Sequence, residues 1–354
     1  MKKNWFAIIL LSPFSLLFAG LITLRNIFYE TGLLKATSFN LPIINVGNLS
    51  VGGTGKTPHI EHLIRLLSPY INVATLSRGY KRKSKGFRLI STRDNAKESG
   101  DEPLQFKTKY PNIPVAVSES RNIGIPLLVK HHPEVETILL DDAFQHRSVV
   151  PGLNILLTEQ NNLFTDDFLM PAGRLREPRI SYERANVIIV TKCNDDITVE
   201  DMEKIKTKIN PLPFQKLFYS KYKYGPPYYI FDNSIKVNLA EDHRVVLISG
   251  IANVQYLLSY LEKKATIENI VKYEDHHYFT SIELEYFKKM YDQSADNTLF
   301  LTTEKDAMRL ALHKDYLVAN KIPVFALPIE VDFLNGEGKQ FDEYVKSFLH
   351  QFKS

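Results

Sequence analysis

Ser50-Val51-Gly52-Gly53-Thr54-Gly55-Lys56-Thr57 follows an apolar run at residues 41–46 and precedes helical spacing at residues 59–67. A buried strand, a glycine-rich loop ending in Gly-Lys-Thr, and a helix make up a phosphate-binding loop. Glycine has no Cβ, so backbone N–H groups can curl around phosphate oxygens. The helix start aims its positive end at the same anion. In such loops the lysine, here Lys56, reaches the β and γ phosphates, and the hydroxyl of Thr57 is offered to Mg2+. Ser50 stands where the usual pattern has Gly. A glycine-rich turn before an ordinary helix is the competing interpretation, and the order of strand, loop and helix speaks against it. The loop implies use of a nucleoside triphosphate and is silent on the phosphate acceptor.

Downstream, apolar runs at residues 73–76, 115–117, 135–140, 153–157 and 187–190 alternate with helical patterns at 122–129 and 199–209. That alternation predicts a mostly parallel sheet covered on both faces, with the ligand beyond the carboxyl ends of the strands. Prolines and tyrosines then cluster between residues 210 and 238, and residues 228–237 read as a hairpin around Asp232-Asn233. A second alternation between residues 245 and 327 predicts a smaller α/β domain. The expected division is a membrane-associating helical segment at 1–35, a phosphate-loop domain at 36–225, a hairpin linker at 226–240 and the smaller domain at 241–354.

A length of 354 residues suits two domains, and 44% hydrophobic content excludes wholesale disorder. The net charge of +4 does not imply a nucleic-acid partner. The single cysteine, Cys193, excludes an intrachain disulfide and a Cys-based zinc cage. Residues 5–24 carry no charge, and Lys2 and Lys3 precede them. About 20 helical residues measure roughly 30 Å, the hydrocarbon thickness of a bilayer. Ser12-Pro13 would kink or break a span, and the residues around Ala19 match a signal-peptide cleavage site poorly. The expectation is attachment to a membrane from the cytoplasmic side, spanning or interfacial, with Arg25 and Lys35 at the polar edge. A buried core helix competes with it.

Several polar groups fall at the predicted ligand edge. Asp141-Asp142 ends the run at 135–140, where phosphate-loop enzymes hold Mg2+. Asp141 is expected to contact the metal, with Asp142 and His146 tuning it from behind; a solvated acidic turn is the plain alternative. Asp101, in Gly100-Asp101-Glu102-Pro103, can accept the proton of an attacking hydroxyl, although the same residues also make a turn and a helix start. Asp275-His276-His277 offers an Asp–His pair, or simply surface histidines. The run Ser77-Arg78-Gly79-Tyr80-Lys81-Arg82-Lys83-Ser84-Lys85 suits a polyanion, or a solvated loop. Arg121 and Arg174-Leu175-Arg176-Glu177-Pro178 add cations. An apolar anchor beside a cationic site points to a phosphorylated lipid rather than nucleic acid. Thr191-Lys192-Cys193-Asn194 and Thr303-Glu304-Lys305-Asp306 match the base-reading element of GTPases only in part, and neither supports guanine specificity.

Assembled, these residues resemble the tetraacyldisaccharide 4'-kinases, the lipid A 4'-kinases of Gram-negative bacteria. The matching motifs are Asn45-Val46-Gly47-Asn48, Val51 to Pro58, Ser77-Arg78-Gly79-Tyr80, Gly100 to Pro103, and Asp141-Asp142-Ala143-Phe144-Gln145-His146. Leu175-Arg176-Glu177-Pro178, Ser249-Gly250-Ile251-Ala252-Asn253, Asp275-His276 and Thr303 to Asp306 follow in order. In that family the first loop position need not be Gly. Ala143 departs from it, since relatives often have Gly there. The resemblance implies transfer of the γ-phosphate of ATP, with Mg2+, to the 4'-hydroxyl of a tetraacyl disaccharide 1-phosphate at the cytoplasmic face of the inner membrane. It implies Asp101 as base assisted by His276, Arg78, Tyr80 and Arg121 near the substrate, Glu177 near the active site, and Glu102 and His146 behind them. It also implies two α/β/α domains that close on each other across a hairpin linker. A membrane-associated phosphate-loop NTPase acting as a switch or metal-delivery factor is the alternative.

Overall fold

Strand β1 (Ile43–Asn48) is buried along its whole length. The computed structural model describes residues 5–353, so Lys2 and Lys3 lie outside the described residues. Successive side chains of a strand point to opposite faces. Accordingly Ile44 and Val46 join one core with Ile60, Leu63 and Ile64, while Ile43 joins the opposite core with Ile125 and Leu128. The further strands are β2 (Val73–Ser77), β3 (Arg88–Leu89), β4 (Val115–Val117), β5 (Thr137–Asp141), β6 (Leu153–Glu159), β7 (Val187–Thr191), β8 (Lys216–Tyr224), β9 (Tyr228–Tyr229), β10 (Asp232–Lys236), β11 (Arg244–Ser249), β12 (Thr266–Lys272), β13 (Thr298–Thr303), β14 (Val324–Leu327) and β15 (Ile329–Phe333). Among the described residues they form a nine-stranded sheet, β15-β8-β7-β6-β1-β5-β2-β4-β3, and a six-stranded sheet, β10-β9-β14-β13-β11-β12. The larger sheet is parallel from β8 to β4, with antiparallel edges at β15 and β3.

The helices are α1 (Trp5–Glu30), α2 (Lys56–Leu67), α3 (Ala96–Ser99), α4 (Asp101–Lys109), α5 (Arg121–His131), α6 (Val199–Ile209), α7 (Gln255–Leu261), α8 (Ser281–Gln293), α9 (Glu304–Leu310), α10 (Lys314–Ala319) and α11 (Gly338–Lys353). Helices α2 and α11 cover one face of the larger sheet, and α5 and α6 cover the other. In the smaller sheet α8 packs on Val246, Ile248 and Phe300, and α7 packs on Val245, Leu247 and Leu301. Both units are therefore α/β/α sandwiches.

Two boundaries differ from the sequence expectation. Residues 226–240 are not a free hairpin linker, because Tyr228 and Tyr229 of β9 pair with Ala326 and Phe325 of β14 and extend the smaller sheet. The chain instead crosses between the units beside Gly225 and Pro328, where the Gly225 amide donates to the Pro328 carbonyl at 3.1 Å. Nor do residues 241–354 form one domain. Strand β15 returns to pair with β8, and α11 places Phe341, Val345 and Leu349 in the core that holds Ile60 and Leu63. An amphipathic strand and helix read the same whichever sheet they complete, so composition could not assign them.

Helix α1 continues through Pro13 without breaking. Proline cannot donate to the carbonyl four residues back, and here the hydroxyl of Ser12 donates to that Ile9 carbonyl at 2.8 Å. The helix touches the body along a thin polar line. Ser15 Oγ donates to the Leu169 carbonyl and accepts from the Ala172 amide, each at 3.0 Å. Arg147 donates to the Asn26 carbonyl and to Glu30, each at 3.1 Å. Most apolar side chains face outward, Phe6 at 77% and Leu16 at 72% exposure. Residues Ile8–Glu30 are long and apolar enough to cross a membrane and only 6% buried, so the buried core helix does not hold.

Because α11 seals the larger core, Phe341→Ala is expected to cost about 3–5 kcal/mol. Calorimetry should show the lowered transition to be the one that bound nucleotide raises. A lowered transition insensitive to nucleotide would place α11 with the other unit.

Candidate active site

The phosphate loop leaves β1 at Asn48 and enters α2 at Lys56 through Gly55, whose φ of 92° is left-handed. A Cβ on Gly55 would sit 2.9 Å from the Tyr222 hydroxyl, so glycine serves both backbone and space. Neighbouring segments brace the loop. The Val51 amide donates to the Arg174 carbonyl at 2.8 Å, and the Arg176 amide donates to the Leu49 carbonyl at 2.7 Å. Thr191 Oγ1 donates to the Thr54 carbonyl at 2.8 Å. Val51, Gly52 and Gly53 stay exposed, while Ser50, Thr54, Gly55 and Thr57 are buried.

Strand β5, hydrogen-bonded to β1, brings Asp141 and Asp142 to the same edge. A Cβ on Gly47 would come within 2.7 Å of Phe144 Cβ, so only glycine lets the turn after Asp142 lie against β1. Asp142 has φ 49°. It accepts from both ends of the Arg176 guanidinium, at 2.7 and 3.0 Å, and lies 3.7 Å from Lys56 Nζ. Burial alone would raise its carboxyl, but Lys56 and Arg176 hold it well below the usual carboxylate range. Asp141 goes the other way: burial, then the charges of Glu102 and Asp142, push it up to about 7. Its Oδ1 is buried without a partner.

Asp101 opens α4 after Gly100 and is 4% exposed. Its Oδ2 lies 2.8 Å from His276 Nδ1 and 2.8 Å from Arg309 Nη1, both in the smaller unit. Burial would raise the carboxyl, but the His276 hydrogen bond and the charges of Lys305, His276 and Arg309 hold it at about 2. Glu102 pairs with Lys305, and Lys109 bridges Glu61 and Glu304 at 2.5 and 2.8 Å. Tyr80, 58% exposed, sets its ring 5.2 Å from that of His276, and Arg78 is exposed beside it.

Some expected roles change. Arg121 is fully buried and donates to the Ser118 and Asp141 carbonyls at 2.6 and 3.0 Å, so it props the β5 tip instead of facing a substrate. Burial lowers it to about 10. Glu177 is likewise fully buried, paired with Arg184 at 2.6 Å, and Arg184 lies over the Phe144 ring. It supports the turn after Asp142 from behind. His277 pairs with Glu283 and stacks on Tyr273, away from Asp101. Burial, Arg121 and Arg78 lower His146 to about 4, so it is neutral at pH 7. Lys192 pairs with Glu159 beside the Tyr222 and Tyr256 rings. Sequence reasoning counted Arg176 only among the cations near the ligand edge and gave no role to Arg309. Arg176 lay in a quoted motif; Arg309 had no local signal, since Asp101 is 208 residues away.

The family model for LpxK, tetraacyldisaccharide-1-P 4'-kinase, matches residues 7–350. The chain belongs to this family. A tetraacyldisaccharide 4'-kinase of Bacteroides fragilis is 43% identical over 349 residues, covering 96% of this chain and 93% of that protein. The same-named protein of Flavobacterium johnsoniae is 40% identical over 342 residues, covering 97% of each. A solved structure, the "apo" form of LpxK from Aquifex aeolicus in complex with ATP, is similar with a TM-score of 0.74 at 29% identity, covering 98% of this chain and 99% of that one. The family is ATP-dependent kinases of lipid A biosynthesis, and the switch or metal-delivery alternative is not favoured.

The site suits the Mg2+ that such kinases use. Mg2+ binds through one or two carboxylates together with substrate phosphates. Asp141, with an unpartnered buried oxygen, and Thr57 would hold it, whereas both oxygens of Asp142 are engaged by Arg176.

Arg176→Ala should lower kcat/KM for ATP by about 10–100-fold, as loss of a supporting partner commonly does. Steady-state phosphoryl transfer checks this, and a parental value would leave the Arg176 fork without consequence.

Proposed function

We propose that the larger domain presents the ATP γ-phosphate on the loop at residues 50–57, and that the Asp101–His276 pair receives the proton of the acceptor's 4'-hydroxyl. The acceptor is a tetraacyl disaccharide 1-phosphate held at a membrane surface. The observation that carries this reading is the 2.8 Å contact between Asp101 and His276, made across two domains. The charge of Lys305 acts on both Asp101 and Asp141, which supports reading Asp101 as a base near the phosphate corner. A bond forms between the 4'-oxygen and the γ-phosphorus as the γ-phosphorus to bridging-oxygen bond breaks, and ADP leaves.

Lys56, the loop N–H groups and the start of α2 meet the charge on the transferred group. Bound Mg2+ would neutralise phosphate charge. The Asp101 carboxylate is ionised throughout neutral pH, the state a proton acceptor needs. His276 fixes its orientation and can share the incoming proton. Exposed Arg78 and Tyr80 are the groups on this edge that can meet a phosphorylated sugar. The outward apolar face of α1 supports attachment to a membrane, and ATP supply favours its cytoplasmic side. Arg25 and Arg147 flank the Tyr29 ring at 5.7 and 5.6 Å near the polar end of α1, where anionic head groups would lie. A nucleic-acid partner forms no part of this reading.

With γ-labelled ATP and the acylated disaccharide phosphate in detergent micelles, label should move to lipid. Lys56→Ala should abolish transfer. Asp101→Asn should lower kcat by about 100-fold or more while ATP affinity stays within about threefold of the parent. Parental turnover by Asp101→Asn, or label reaching only free phosphate, would refute the assignment.

A further inference from the structure

Arg309 is among the largest fully buried side chains, and 1% of it is exposed. A buried guanidinium needs its charge and its donors met. Its own domain does part of this: Nη2 donates to the Gly250 carbonyl at 3.0 Å and pairs with Asp306. Asp306 is itself fixed, accepting from Thr303 Oγ1 at 2.7 Å and from the Gly250 amide at 3.1 Å. The remaining arm, Nη1, leaves the domain and donates to Asp101 Oδ2 at 2.8 Å. That oxygen is the one His276 also approaches, and Oδ1 accepts from the Glu102 amide at 3.0 Å. The carboxylate is thus held at both oxygens, with two of its three partners coming from the smaller unit.

We propose that Arg309 is a positioning residue of the phosphoryl-transfer site: it fixes the Asp101 carboxylate against His276 and makes that arrangement depend on the smaller domain being seated. The inference rests on reading the Asp101–His276 pair as the base. Lysine could carry the charge but not the fork that spans Asp101, Asp306 and Gly250 at once. The other groups around Asp101 are Lys305 with its partner Glu102, Asp275 beside His276, and the Tyr278 hydroxyl. Among these the Arg309 guanidinium donates directly to the carboxylate. Its loss should therefore let the carboxylate rise from about 2. Since an acid must be ionised to accept a proton, the acid limb of the kcat profile should then move to higher pH.

The test compares the full-length parent with Arg309→Met, Arg309→Lys and Asp101→Asn, in micelles with ATP, Mg2+ and the acylated disaccharide phosphate. Arg309→Met is expected to lose about tenfold or more in kcat near pH 7, because the carboxylate, still ionised there, is no longer held against His276. Its acid limb should shift upward, while ATP affinity and lipid KM stay within about threefold of the parent, as a change confined to positioning requires. Arg309→Lys should recover part of the rate. A parental rate and acid limb in folded Arg309→Met would overturn the proposal. So would a loss equal at every pH and accompanied by loss of ATP affinity, since that marks a merely structural role. If Arg309→Met does not fold, Arg309→Lys decides by the same two readouts. Parental turnover by Asp101→Asn would remove the base reading and this inference with it. An inactive Asp101→Asn beside parental Arg309 variants would remove this inference alone.

Discussion

A buried carboxylate must be given a partner, and at Asp101 the side chains that pair with it, His276 and Arg309, come from another domain. Leaving such a charge unpaired costs several kcal/mol, far more than a surface pair returns. Around it the α4–α9 contact is built from ions: Glu102 with Lys305, and Lys109 between Glu61 and Glu304. Apolar residues of the smaller unit also take part: Ala307, Met308 and Ala326 join the core of the larger unit, with Tyr228, Ile230 and Tyr278 packed against it. Charge pairs at such an interface can open and reclose in water, because each separated ion regains hydration. The contact between Asp101 and His276 is therefore complete only while the two sandwiches are together.

At the phosphate corner, two neighbouring aspartates meet opposite fates. Asp142, turned by a positive φ toward Arg176 and Lys56, is held well below the usual carboxylate range. Asp141, one residue earlier and fully enclosed, is raised to about 7 and keeps an oxygen without a partner. Adjacent carboxylates divided in this way can serve as an anchor for cationic side chains and a receptor for an incoming cation. Arg121 and Glu177 contribute from beneath, one holding the β5 tip and the other the turn that follows it. The outward face of α1 shows the same economy of contact, because its docking line uses Ser15, Asn26 and Glu30 and leaves most apolar residues facing outward.

Short-range patterns carried the reading of the chain a long way. A phosphate loop is set by residues within one strand–loop–helix unit, so Ser50 to Thr57 could be placed from their neighbours alone. The alternation of apolar runs and helical spacing specified both sandwiches, because period 2 and period 3.6 are local properties. The pairing of Asp101 with His276 entered through the motifs' likeness to a family, and in the fold the two side chains meet. Which side chain faces which was not legible in the sequence. The resemblance implied Arg121 near the substrate and Glu177 near the active site, and the fold seals both inside, beside backbone carbonyls or an arginine.

Local order along the chain, then, decided the two α/β layers, the nucleotide loop and the apolar N-terminal helix, since each depends on residues a few positions apart. Tertiary packing decided the rest. It returned β15 and α11 to the first sheet after a detour through the second. It also brought Arg309 to Asp101 across 208 residues. Each of these requires a partner distant in sequence or an unusual local geometry, and neither composition nor periodicity encodes distance in space.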